Sequence, residues 1–376
     1  MSRKIVFINQ ATGYLTIDII NAFADEFEHV ALIAGTIRVQ DTELNKKVKW
    51  TRIARYNRGS PSKKLFSWIW GTIQIFFLLL FRFRHYEVFY ITVPPTAYLL
   101  SLFLPNKFSV LIFDIYPESL KIFNIKDSGL IFRSWAKWNR KLFKRAHRLF
   151  TLGNAMKDIL ARYVNHDKIF VINYWSGLTK VKPVLKENNI FIKTQALSEK
   201  FIIEYSGNIG YTHNLETLLE VAEKFKSDQN IVFLIIGRGE RFQTIKGIVS
   251  KRDLNNCKLL PFQPDSEIQN TLSAADLSIV ILDEKVASYS IPSKTYNLLA
   301  VGSAIMVIGS PEAELAKLVK NFNIGKSFAQ ADMPGMMEFI RELKEDPGKI
   351  MQYKNNALKA SVYFTSQNAR KYLEYY

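Results

Sequence analysis

One cysteine, Cys257, stands among 376 residues. That excludes an internal disulfide and a multi-cysteine metal site, and it suits a reducing compartment. Histidine is also sparse: of five, His29, His85, His147 and His166 are scattered without metal-ligand spacing, so no metal site is expected. No acidic residue occurs from Leu44 to Tyr86. The start of the chain offers no secretory leader, because Lys4-Ile5-Val6-Phe7-Ile8-Asn9 is too short and reads as a first strand. A cytoplasmic protein is therefore expected. No repeat with a period of about 20–50 residues and no low-complexity tract appears.

What is present is apolar and basic. A hydrophobic content of 48% with 13% aromatics excludes a disordered chain. The length predicts two domains, each able to bury its own core. The net charge of +17 is uneven: residues 1–175 hold 26 Lys and Arg against 12 Asp and Glu, a net +14, whereas residues 176–376 hold 25 against 22, a net +3. All six tryptophans (Trp50, Trp68, Trp70, Trp135, Trp138, Trp175) lie in the first part. Two partners of different kinds follow, and the partner of the first half should be an anionic surface.

Apolar, β-branched runs alternate with helical stretches throughout, the pattern of doubly wound α/β sheets. Strands are predicted near 4–8, 29–34, 86–92, 108–113, 147–152 and 168–172. A second series lies near 201–205, 231–236, 258–260, 277–282, 304–308 and 325–328. The polar stretch after Asn173, with Gly177 and Pro183, predicts a linker over 175–200. The domains are then 1–174 and 201–359, with about 360–376 returning to the first.

Three segments carry phosphate chemistry. Ser206-Gly207-Asn208-Ile209-Gly210 and Ile236-Gly237-Arg238-Gly239-Glu240 each follow a predicted strand. A glycine turn between strand and helix offers unpaired N–H groups at the positive end of a helix dipole. Ile291-Pro292-Ser293-Lys294, running on to Asn297 and Gly302, adds a cation at a predicted helix start. The set implies a nucleotide diphosphate site.

These segments, with Ala274-Ala275-Asp276 and Asp114-Ile115-Tyr116-Pro117-Glu118-Ser119, resemble the family-4 retaining glycosyltransferases of the GT-B fold. The likeness is to the bacterial O-antigen and capsule branch that includes N-acetylfucosamine transferases. It implies two Rossmann-like doubly wound domains facing a cleft, with a C-terminal helix packing back on the first. It also implies sugar transfer, with retention, from a nucleotide diphosphate sugar (UDP-linked by expectation) to a lipid-linked or glycan acceptor. No metal or cofactor is implied. Lys294 is the expected catalytic cation on the departing diphosphate, with Asp114 and Glu118 beside the acceptor. Donor contacts are expected from Gly13, Gly207, Asn208, Gly210, His213, Gly237, Arg238, Phe262, Tyr289, Ser290, Ser293 and Asn297. The chain departs from the family pattern at its Glu-x7-Glu pair, where Tyr289 and Asn297 stand, and at its diphosphate Arg and Lys, which map to Asn208 and His213. Lys294, with Arg238 or Arg241, then supplies the positive charge.

The acid-free stretch 44–86 carries ten Lys and Arg, yet Leu65–Phe81 inside it is uncharged and apolar. Seventeen residues sit at the short limit of a membrane span, so a domain helix, a monotopic contact and a span all remain open. Arg133, Lys137, Arg140, Lys141, Lys144 and Arg148 fall mostly at helical spacing, as on an amphipathic helix lying on anionic lipid or on a solvated helix over the core. The expected location is peripheral, on the inner face of the plasma membrane. Two rivals are a GT-B epimerase and a nucleic-acid-binding protein, and no nucleic-acid motif supports the latter.

Overall fold

The computed structural model describes residues 3–57, 59–123, 126–178, 181–210, 213–283 and 292–376. The chain divides into one unit of Met1–Gly177 with Ser366–Tyr376, and a second of Leu178–Thr365.

In the first unit, β1 (Lys4–Ile8), β2 (His29–Ala34), β3 (Lys49–Arg52), β4 (Glu87–Ile91), β5 (Phe108–Leu111), β6 (Leu149–Thr151) and β7 (Ile169–Val171) form one sheet. Their order is β3-β2-β1-β4-β5-β6-β7, and the ladders are parallel. Parallel neighbours need crossovers, which cover both faces and make central strands apolar throughout. Ile5, Val6, Phe7 and Ile8 of β1 are accordingly all buried. Edge strand β3 is the exception. Lys-Trp-Thr-Arg is mostly exposed and lacks the apolar run by which the other strands were predicted.

Three long helices follow the sheet: α1 (Tyr14–Ala24), α2 (Pro61–Phe77) and α3 (Leu130–Arg145). The second unit is also doubly wound. Its strands are β8 (Phe201–Asn208), β9 (Ile231–Arg238), β10 (Cys257–Pro261), β11 (Leu277–Ile281), β12 (Ile305–Ile308) and β13 (Gly325–Phe328). They run parallel in the order β10-β9-β8-β11-β12-β13. The helices used below are α4 (Leu215–Lys224), α5 (Phe242–Lys251) and α6 (Lys294–Ala300). Ile203, Tyr205, Phe233 and Ile279 join the main core on one face, while Ile202, Leu234 and Ile236 pack with Phe191 and Ile192 on the other.

That second cluster corrects the expected linker. Residues 178–200 belong to the second unit, because helix Ile190–Thr194 delivers Phe191 and Ile192 to its core. The preceding Trp175 is buried in the first unit, where its indole N–H donates to Asp18 at 2.8 Å. The Asp of Ala274-Ala275-Asp276 is architectural: one carboxylate oxygen accepts from Ile202 N and from Lys186 Nζ, each at 2.8 Å.

The last helix, α7 (Asn368–Glu374), returns to the first unit and packs along α1. Tyr372 sits among Phe89, Phe150 and Trp175, with Phe150 at 5.0 Å between ring centroids. Tyr376 lies edge-on to Phe23 at 5.2 Å and donates its hydroxyl to Glu87 at 2.8 Å. Replacing a buried aromatic with Ala costs about 3–5 kcal/mol. Urea unfolding of Tyr372→Ala should show a loss of that order, and a loss below about 1 kcal/mol would mean that the C-terminal return is not part of the first core.

Candidate functional site

Doubly wound sheets hold ligands outside the carboxyl ends of their strands, where the strand order reverses. In the second unit that point lies between β8 and β11. The end of β8 carries Gly207 and Asn208, β11 ends at Ile281, and α6 begins at Lys294.

Gly207 has φ +152°, a conformation that side chains rarely adopt, and a Cβ there would lie 3.4 Å from Lys294 Nζ. Lys294 Nζ stands 3.9 Å above the Tyr205 ring centroid, and the Tyr205 hydroxyl donates to Asn208 O at 2.7 Å, holding the turn. His213 Nδ1 lies 3.0 Å from Ile281 O. A carbonyl only accepts, so Nδ1 carries the proton. Burial, reinforced by Lys294, brings the His213 pKa down to about 4. His213 is therefore neutral near pH 7 and brings no charge.

Lys294 brings a cation to this point of the sheet. The residue is half-buried, but Nζ itself is out of solvent and has no hydrogen-bond partner among the described residues. Burial, opposed by Glu204, lowers its pKa to about 7. Glu204 is the residue that sequence reasoning missed. It lies inside β8, 2% exposed, with neither carboxylate oxygen hydrogen-bonded among the described residues. Its register partner on β11 is Ser278, whose hydroxyl also has no hydrogen-bond partner among the described residues, and the same holds for that of Thr295 beside Lys294. Burial holds Glu204 well above the ordinary carboxylate range, with Lys294 pulling the other way. Each buried polar group left unpaired costs about 1–3 kcal/mol. A concentration of such groups at the reversal point marks a candidate functional site. The available signal was one carboxylate inside the apolar run Phe201–Tyr205.

The second glycine turn has a different origin. A Cβ on Gly237 would lie 2.2 Å from Gly207 O, and one on Gly239 (φ +146°) 2.4 Å from Ile209 O. These glycines are required by the contact between the ends of β8 and β9. Arg238 pairs with Asn208 in the ladder, and its guanidinium lies 4.4 Å over the Phe262 ring. Asn208, Arg238 and Phe262 are exposed along this edge. Arg241 is not an available cation, because both guanidinium NH groups pair with Glu216 of α4. Gly210 is buried, with Asn208 and Glu240 beside it. Ser293 immediately precedes α6, and Asn297 lies one turn beyond Lys294, half-buried. Tyr289 and Ser290 lie outside the described residues.

In the first unit, the corresponding reversal lies between β1 and β4. Gly13 caps α1 beyond the end of β1, and no atom would come within 4 Å of a Cβ there. Asp114 follows β5 and reaches solvent, but the protein around it raises its pKa, with Lys64 opposing. Glu118 does not join it. It is 6% exposed and accepts a 2.5 Å hydrogen bond from the Tyr163 hydroxyl, because the turn Glu118–Phe123 directs it inward. Among the described residues, no three His, Cys, Asp or Glu side chains gather as a metal-holding group.

Residues 186–360 match the family described as Glycosyl transferases group 1. The chain is 25% identical over 249 residues to the probable glycosyltransferase WbjE of Pseudomonas aeruginosa, covering 66% of this chain and 62% of that one. It is 27% identical over 169 residues to the putative colanic acid biosynthesis glycosyl transferase WcaI of Escherichia coli K12, covering 44% and 41%. The alignments thus span less than two thirds of these relatives. In three dimensions, Anabaena Alr3699/HepE in complex with UDP and glucose superposes with a TM-score of 0.74, at 13% identity, over 99% of this chain and 98% of that one.

A polyanion against Lys294 holds it protonated, so its affinity should fall as pH rises through about 7. Lys294→Arg should flatten that fall. Glu204→Gln, which removes the charge supporting the lysine proton, should move it to lower pH. Calorimetric titration of UDP between about pH 6 and 9 reads both shifts, and a flat wild-type profile would exclude Lys294 as the contact. Without ligand the sign reverses. The unfolded chain keeps this proton to its ordinary 10.5, so the Lys294 contribution to stability rises with pH from about 7 to about 10.5.

Proposed function

A GT-B chain whose residues 186–360 form a glycosyl transferases group 1 domain is, we propose, an enzyme of bacterial surface-polysaccharide synthesis. It moves a sugar from a nucleotide diphosphate, with UDP the favoured carrier, to a lipid-linked or glycan acceptor. The observation that carries this reading is the buried Lys294 ammonium, without a hydrogen-bond partner among the described residues, at the reversal point of the second sheet. Transfer breaks the bond between the sugar's anomeric carbon and the diphosphate, and negative charge develops on the departing oxygen. A preorganised cation in a water-poor setting stabilises that charge more than it stabilises the intact donor, which is what catalysis requires. No metal or cofactor is assigned to the step.

In this reading, His213 offers its unprotonated Nε2 as a neutral acceptor, and Asn297 takes a ribose hydroxyl without charge. Arg238 and Phe262 flank the nucleotide. Retention of configuration is part of the proposal. The acceptor oxygen bonds to the anomeric carbon on the face the diphosphate leaves, and its proton passes to the departing phosphate oxygen. Asp114 then orients the acceptor hydroxyl and is not an essential base. The net +14 over residues 1–175 supports a peripheral position on the cytoplasmic face of the plasma membrane, where a polyprenyl-diphosphate-linked acceptor resides.

Thermal-shift screening against UDP, GDP, dTDP, CMP and ADP tests the donor site. One diphosphate, expected to be UDP, should raise the melting temperature, and Lys294→Ala should abolish the shift. Stabilisation by none of them, together with salt-sensitive RNA binding, would overturn the transferase reading. Gly13→Ala should leave folding unchanged, since open space surrounds the position. A loss of transfer of at least about tenfold in that variant would show that a substrate approaches the backbone there.

A further inference from the structure

Helix α2 and the π-helical turns Leu78–Arg82 form one unbroken rod, and its two sides differ. The inner side is docked on the first unit. Ser67, Ile75 and Leu79 are buried there, and a Cβ on Gly71 would lie 2.6 Å from Gln10 Nε2. Gln10 Nε2 donates to Ser67 O at 2.8 Å, Ala54 N donates to Gln74 Oε1 at 2.7 Å, and Thr72 Oγ1 meets Thr96 Oγ1 at 2.6 Å. On the outer side, Leu65, Phe66, Ile69, Trp70, Phe77 and Phe81 are each 48–76% exposed. No charge interrupts this side from Leu65 to Phe81.

Both ends of the apolar stripe open into cation-lined cavities. Arg55 and Lys63 line one of about 480 Å³ at the start, beside Phe66 and Trp70. Lys47, Lys49 and Arg82 line one of about 430 Å³ at the finish, with Glu28 its one carboxylate. At 1.5 Å per residue the rod is about 33 Å long, so the two cation groups flank the whole stripe. A chain of ring contacts through Tyr56, Trp68, Tyr116 and Trp135 joins α2 to α3, whose Arg133, Lys137, Arg140, Lys141 and Lys144 are exposed.

We propose that the outer side of Pro61–Arg82 lies in the plane of an anionic bilayer. Its aromatic and aliphatic side chains sit at the boundary between headgroups and acyl chains, and lipid phosphates occupy the two cation-lined cavities. This rests on the reading that the acceptor is membrane-borne. Two observations select this occupant. A span would require the inner side to abandon Gln10, Ala54 and Thr96. A second copy of the chain would set these cations against the same cations, whereas an anionic bilayer complements the cations and the apolar stripe together.

The test is co-sedimentation of the full chain with phosphatidylcholine vesicles, with and without phosphatidylglycerol. Phe66→Ser/Trp70→Ser/Phe77→Ser removes the stripe, and Lys47→Gln/Lys49→Gln/Arg82→Gln removes one cation group. The wild type should favour anionic vesicles by at least about tenfold. The stripe variant should lose at least about tenfold on them, and the cation variant should lose the anionic preference. Brominated lipids should quench Trp70 fluorescence more strongly with shallow than with deep bromines, an effect that Trp70→Phe removes. Unchanged vesicle binding by the stripe variant would overturn the proposal. So would quenching by deep bromines with resistance to carbonate extraction, or a solution dimer that the stripe variant dissolves. The UDP-induced thermal shift, read without vesicles, reports separately on folding and the donor site. A wild type stabilised by none of the five nucleotides, with salt-sensitive RNA binding, would sink the transferase reading alone, and weak vesicle binding with the shift intact would sink the membrane pose alone.

Discussion

Parallel backbone ladders hold both sheets, and this one constraint organises the rest of the molecule. Neighbouring parallel strands cannot be joined by a hairpin, so each connection crosses a face of the sheet. The crossovers bury both faces and leave the carboxyl edge as the place where loops gather. In the second unit, that edge receives the β8 turn, the His213 imidazole and Lys294 at the start of α6. The crossover from β3 to β4 is α2, which covers its share of the first sheet with one side only. Its other side is as apolar as a core, and no described part of the chain buries it.

The two buried ionisable side chains at the candidate site, Glu204 and Lys294, follow from the same constraint. A carboxyl in the middle of a central parallel strand gains nothing for the fold. Glu204 is kept above the ordinary carboxylate range by burial, and Lys294 is kept below the ordinary lysine range. Each partner opposes the other's drift toward neutrality. The coupling keeps the lysine proton available near neutral pH, where an isolated buried amine gives it up. Burying both groups lowers stability locally, which is the pattern of a candidate functional site rather than of a structural one.

Much of this was legible in the sequence because buried parallel strands are written as continuous apolar runs. Ile231–Ile236 is such a run, and the chain folds it as the body of β9. What stayed hidden broke that correspondence. The edge strand Lys49–Arg52 is polar because only one neighbour flanks it. Glu204 looked like an interruption rather than a partner, since its significance lies in Lys294, ninety residues later. The helix Ile190–Thr194 is too short to show periodicity, so its stretch read as a linker. Gly237 and Gly239 looked like phosphate-binding glycines, but contact with Gly207 and Ile209 is reason enough for both. Glu118 stood one helical turn from Asp114 in the sequence, and a 3-10 turn carried it to Tyr163 instead.

The return of the last eleven residues, 366–376, bears on how the chain is made. The aromatic contacts of Tyr372 and Tyr376 with Phe23, Phe89 and Phe150 join the last part of the polypeptide to the first. A ribosome delivers the seven strands of the first sheet well before it delivers these rings, with the whole of Leu178–Thr365 in between. At about 5–20 residues per second, that interval lasts roughly 10–40 s. For that time the nascent first unit presents an open aromatic seam as well as the bare side of α2. Chaperone demand during synthesis should therefore concentrate on the N-terminal half until residues 366–376 have been made and have docked.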